Sequence, residues 1–140
     1  MFKKKLHGTK TCQLLKAAFA AECFAEHRFK IFARIAQDEG LYAIEAALNE
    51  LAYSQQMHAE SHFKMLQESE EVYFGFEIGN TIDNLKTALV AEGLEVNECS
   101  ELIKTARDEG LEVVAERIEE ISIDEMAHIH RLDSLINQII

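Results

Sequence analysis

An all-α four-helix bundle, built from two repeated helical hairpins with one long crossover, is the fold class predicted by this 140-residue sequence. Three observations predict it. The chain repeats itself at an offset of 70 residues: Ala36-Gln-Asp-Glu-Gly-Leu41 returns as Ala106-Arg-Asp-Glu-Gly-Leu111. The same offset aligns Leu15 with Leu85, Lys16 with Lys86, Ala18 with Ala88, Glu22 with Glu92, Glu50 with Glu120 and His58 with His128, without a gap. Proline is absent and only 6 glycines occur, so few positions interrupt a helix. Between the breaks, apolar residues recur at three- and four-residue spacing, the period of one helix face.

The first helix is expected over about residues 11 to 38. Phe19, Glu22, Cys23, Glu26, Phe29, Lys30 and Ala33 share its inward face, an unusual mixture of acids among apolar side chains. Gly40 then takes the left-handed conformation that stops a helix. A second helix runs from about Leu41 to Ser69, carrying Ile44, Leu48, Leu51, Met57, Phe63 and Leu66. Glu70 to Asn80, with Gly75 and Gly79, is the long crossover between the halves, and its Glu71 to Phe76 portion is the one strand candidate, without a partner. Thr81 caps the third helix, which reaches about Asp108; Gly110 ends it as Gly40 ended the first, and the fourth runs from Leu111 to about Gln138. A 28-residue helix is roughly 42 Å long, the scale of a bundle with two short turns and one long connection. This connectivity is the ferritin-like plan, and residues 1–140 are expected to form one domain of that kind. Exchange of a hairpin between two chains is the alternative to closing the bundle within one.

Composition excludes several classes of function. A net charge of −11 repels nucleic acid and anionic membrane surfaces, and the Lys3 to Lys5 run is too short to reverse it. No stretch of about 18 apolar residues exists to span a bilayer, and Met1 to Leu6 does not open a signal peptide, so the cytoplasm is the expected location. Cys12, Cys23 and Cys99 form no Cys-x-x-Cys pair, which argues against a zinc knot, a rubredoxin-type iron site or a dithiol redox centre; buried thiols on apolar faces are expected. Acids placed at core height argue against a coiled-coil adaptor.

Those acids point to metal. The fourth helix carries Glu125-Met-Ala-His128, a spacing that puts both side chains on one face, and the third carries Glu92 and Glu95 at the same spacing. The first supplies Glu22, equivalent to Glu92, and the second supplies His58, equivalent to His128, with Gln55 three residues before it where the repeat has Glu125. A carboxylate on each of two helices with a Glu-x-x-His on each of the others is a recipe for a dimetal centre. Clustered carboxylates in a poorly solvated interior repel one another unless divalent cations or shared protons neutralise them. Nitrogen and oxygen donors suit Fe, Mn or Zn. Glu98, Glu101, Glu112, Glu116, Glu119 and Glu120 are read as solvated or ion-paired faces, and His27, His62 and His130 as surface residues or neighbours of the ligands.

With these residues in view, the chain resembles the diiron domain of rubrerythrins, ferritin-like oxidoreductases. The resemblance runs through Gly8-Thr-Lys-Thr, Ala18-Phe-Ala-Ala-Glu22, Asn84-Leu-Lys and Ile121-Ser-Ile-Asp-Glu125-Met-Ala-His128. It implies metal ligands at Glu22, His58, Glu92, Glu95, Glu125 and His128, with the family's bridging glutamate falling on Gln55. An amide has one good acceptor oxygen and no charge, so it bridges two ions poorly. The resemblance also implies two iron ions, or one where Gln55 weakens the second position, with Mn or Zn as alternatives. The family's helix tyrosine near the metals falls on Phe29, and the family's proline after the third-helix glutamates is missing from Asn97-Glu-Cys-Ser-Glu-Leu.

The implied activity is reduction of hydrogen peroxide, with Glu22 and Glu95 as catalytic carboxylates and Glu95 the mobile one. No rubredoxin-like cysteine pairs occur up to Ile140, so the electrons are expected from a separate donor protein. Ferroxidase or oxygen scavenging, with dioxygen as oxidant, uses the same ligands. A non-catalytic metal-binding or structural bundle, its site degraded at Gln55, is the reading of a different class. A homodimer, with or without exchanged hairpins, is the expected assembly.

Overall fold

The computed structural model describes residues 6–68 and 78–140. They form four long helices: α1 over Lys10–Asp38, α2 over Tyr42–Glu68, α3 over Thr81–Asp108 and α4 over Glu112–Ile139. No strand occurs among the described residues. The strand candidate Glu71 to Phe76 and most of the crossover lie outside them. The chain divides into two compact units, one on each side of Phe76 and Glu77. In the first, α1 packs on α2; in the second, α3 packs on α4. The fold is thus all-α, and its unit is the hairpin.

Both hairpins turn by the same hydrogen bonds. After α1, Gly40 adopts φ +75°, its N–H donates to the Gln37 carbonyl at 2.9 Å, and the Leu41 N–H reaches back to Ala36 at 2.8 Å. After α3, Gly110 at φ +77° donates to Arg107 at 3.0 Å, and Leu111 to Ala106 at 2.7 Å. Such a pair of bonds closes the last turn of a helix and requires a left-handed residue, which glycine supplies without a Cβ clash. Ala36 and Ala106, which accept the bonds that reach furthest back along the chain, are both buried. The repeat in sequence is therefore a repeat in backbone.

The helix starts are less alike. Thr9 caps α1, its Oγ1 accepting from the Cys12 N–H at 3.1 Å while its hydroxyl donates to the Leu6 carbonyl at 2.7 Å. For α3 the expectation of a Thr81 cap is corrected: Asn80 is the cap, its Oδ1 accepting from the Asp83 N–H at 3.0 Å, and Thr81 is the first helical residue. Asn84 fixes this entry further, exchanging hydrogen bonds of 2.8 and 3.1 Å with the Gly79 N–H and carbonyl. The amide oxygen of Asn80, one residue upstream, reaches the free Asp83 N–H and leaves the β-branched Thr81 inside the helix.

Small side chains let the paired helices approach. Ala33, Ala36, Ala52 and Ala59 are buried in the first hairpin, and Ala106 and Ala115 in the second. Cys12 and Leu66 are the largest fully buried side chains. Of the three thiols only Cys12 is buried; Cys23 is exposed and Cys99 half-buried, so the expectation of buried cysteines holds for one. Arg107 ties the end of α3 to the first turns of α4, bonding Glu112 at 3.2 Å and Glu119 at 2.7 Å, and Arg117 meets Glu120 at 2.7 Å. These three acids belong to ion-paired faces, as their positions predict. No described helix is long and apolar enough to cross a membrane.

Candidate metal centre

Midway along the second hairpin, α3 and α4 bring three donors together. Glu92 comes from α3, and Glu125 and His128, one helical turn apart, come from α4. His128 Nδ1 lies 3.2 Å from Glu92 Oε2 and 3.3 Å from Glu125 Oε2, and one donor atom from each residue falls within 4.8 Å of the others. The two carboxylates are largely withdrawn from solvent, 24% and 17% exposed, whereas the imidazole is 59% exposed. An ion would thus meet the imidazole at the open side and the acids behind it.

The electrostatics of this group are those of a site short of positive charge. A hydrogen bond that the Glu125 carboxyl, when protonated, donates to Glu92, then burial and Glu92's charge, raise the Glu125 pKa above the usual carboxylate value. His128 is raised as well, first by its hydrogen bond to Glu92 and then by that to Glu125, against the opposing effect of burial. A carboxylate beside another makes ionisation of Glu125 more costly, which is why its proton is held more tightly. A divalent cation can take the place of that proton, and the donor set of two carboxylates and an imidazole suits one.

Glu95 is exposed on α3 and stands outside this group of three. In the first hairpin the arrangement is looser. Glu22 of α1 faces α2, with His58 Nδ1 at 3.6 Å from its Oε2 and His62 Nε2 at 3.7 Å from its Oε1. Gln55 Oε1 and His62 Nδ1 are buried atoms with no hydrogen-bond partner among the described residues. Unpartnered buried polar atoms are uncommon and ask for an explanation; a cation would supply the missing partner for the amide oxygen. Phe29 carries no hydroxyl toward this region and instead lies beneath the Arg28 guanidinium, 5.7 Å from its ring centre.

His62, read from the sequence as a surface residue or a neighbour of the ligands, is such a neighbour, its Nε2 facing Glu22. Its signal is present, since it follows His58 by four residues and so shares its face of α2. It was masked by the repeat, because the equivalent position in the second hairpin is Leu132.

The sequence matches the rubrerythrin family model over residues 13–136. It is 32% identical to Rubrerythrin-1 of Clostridium acetobutylicum over 97% of this chain and 74% of that protein. It is 34% identical to the rubrerythrin of Clostridium perfringens, with the same coverage of each chain, and 31% identical to that of Porphyromonas gingivalis over 95% of this chain and 69% of the relative.

Proposed function

Because the chain belongs to the rubrerythrin family, we propose that it is a cytoplasmic non-haem diiron oxidoreductase that reduces hydrogen peroxide with electrons from a separate donor protein. The observation that carries this reading is the convergence of Glu92, Glu125 and His128 in the second hairpin. On this reading Glu22, His58, Glu92, Glu95, Glu125 and His128 hold two iron ions, with Gln55 a neutral neighbour, and residues 1–140 act as one ferritin-like domain. Bound ferrous iron supplies the electrons that cleave the O–O bond of peroxide.

The chain's own residues supply binding and proton traffic. Glu92 raises the affinity of the neighbouring Glu125 for its proton, and a bound cation would compete with that proton. His128 is open to solvent and turns its Nδ1 to both acids, so that a metal ligated there would have the imidazole at the exposed edge of the site. Glu95 is free of the three-residue group and one helical turn from Glu92, which suits a carboxylate that swings toward the centre as its charge rises. Exposed apolar side chains such as Phe24, Tyr53, Val113 and Ile123 support association of two copies.

The test is an anaerobic titration of metal-free protein with ferrous iron, followed by one equivalent of peroxide. Two irons bound per chain, with stoichiometric consumption of peroxide as they oxidise, is the expected result. One iron or none, with peroxide left intact, would replace this reading with the non-redox metal-binding one that Gln55 favours. Faster oxidation by dioxygen than by peroxide would replace it with ferroxidase or oxygen-scavenging chemistry.

A further inference from the structure

We propose that the groove between α1 and α2 of the first hairpin binds an amphipathic carboxylate of the medium-chain fatty-acid class, its alkyl chain along the apolar lining and its carboxylate at Lys64. This site is distinct from the metal centre and does not depend on it. The groove holds about 570 Å³, within the roughly 300–1,000 Å³ of small-molecule sites. Phe19 and Cys23 of α1 and Ala59 and Phe63 of α2 line it, and the two rings lie 5.4 Å apart at 42°. Cys23, Gln56, Ala59 and Phe63 each follow by one residue a member of the set Glu22, Gln55, His58 and His62. One residue turns a helix by about 100°, so the groove is a different surface from the one those four residues present.

The charged groups around the groove favour an anion. Its two carboxylates are engaged, Glu26 with Lys30 at 2.7 Å and Glu60 as acceptor from Gln56 Nε2 at 3.1 Å. Lys64 is the lining cation; it is exposed, and no ion pair or hydrogen bond holds it among the described residues. Gln67, one turn further along α2, adds an amide donor beside it. Gln56 and Gln67 are roughly 16 Å apart along the helix, which lets an alkyl chain lie lengthwise with its acid at the Lys64 end. An unpaired ammonium at the edge of an apolar groove recognises a carboxylate on an apolar body: one contact is charge-assisted, and the rest removes apolar area from water.

The repeat confines these features to one copy. Where the first hairpin has Phe19, Cys23, Phe63 and Lys64, the second has Leu89, Gly93, Asp133 and Ser134, so the aromatic pair, the thiol and the ammonium are all missing there.

Cys23 is the reporter, because its exposed thiol lines the groove, and half-buried Cys99 is the reference within the same chain. The full chain is alkylated with iodoacetamide in the presence of dodecanoate, dodecanol or dodecyltrimethylammonium, each below its micelle concentration. Peptide mass spectrometry reads the rate at each cysteine. Dodecanoate should slow alkylation of Cys23 and not of Cys99, with dodecanol binding about fivefold more weakly. Dodecyltrimethylammonium should bind more weakly still, although a net charge of −11 attracts it. Lys64→Ser should abolish the difference between dodecanoate and dodecanol, and Phe63→Asp should weaken both. Circular dichroism checks that the variants fold, and Lys64→Ser, on the exposed rim, carries the test if Phe63→Asp does not. Protection by the cationic amphiphile equal to that by dodecanoate overturns the proposal, as does equal slowing at Cys99 or undiminished discrimination in Lys64→Ser. Protection of Cys23 that rises with protein concentration alone would assign the groove to a second copy and overturns it too.

Discussion

Glu125 and His128 are the residues whose protonation the fold changes, and in the same direction. Each binds its proton more tightly in the folded chain than its usual value of 4.5 or 6.5 allows. The sign follows from linkage: a raised folded value means that folding gains from protonation. The contribution of His128 is complete below pH 6.5 and fades as pH rises through its raised value; that of Glu125 is complete below pH 4.5 and fades above it. Metal-free protein should therefore lose urea resistance as pH rises through these raised values, and E125Q, neutral throughout, should show a shallower loss. Identical slopes for the two proteins would mean that Glu125 holds its proton no more tightly when folded. Iron affinity should rise over the same interval, because loading must displace those protons. The Glu-x-x-His spacing made this group legible in the sequence, since helical geometry alone puts Glu125 and His128 on one face. His62 was not legible, because nothing in spacing reveals which of several histidines meets the free oxygen of a carboxylate on the next helix.

At the scale of the element, the glycine stops were legible and the starts were not. Gly40 and Gly110 sit in repeated hexapeptides, and a left-handed residue leaves few alternatives to glycine. An N-cap is chosen among adjacent polar residues by side-chain reach, and in Asn80-Thr81 both are eligible by type. The cap on α3 makes a direct prediction. N80A should cost about 1 kcal/mol, while T81A, at the first helical position, should cost only a few tenths; chemical denaturation of the two variants checks it. A larger loss from T81A would return the cap to threonine. The ion pairs of Arg107 concern the same scale and add little, since the guanidinium is open to solvent, which screens such surface pairs.

For the whole molecule, a charge of −11 and a generous share of exposed apolar side chains act against each other. If two copies associate through apolar contacts, their like charges oppose it, and salt relieves that opposition. Sedimentation should show a dimer that strengthens between about 0.01 M and about 0.15 M ionic strength, where the screening length shortens from about 30 to 8 Å. A monomer at both strengths would remove the dimer from the proposed function. Two hairpins were legible from the 70-residue offset, but a periodicity within one chain carries no record of what each hairpin meets outside itself. That offset has one more use. A duplicated segment released from identical constraints drifts, and here each copy preserves an answer to a question posed by the other: what a given backbone position tolerates when its partner position has changed. Gln55→Glu and His62→Leu, made in the first hairpin alone, would give it the second hairpin's residues, with the unaltered second copy in the same polypeptide serving as the internal control.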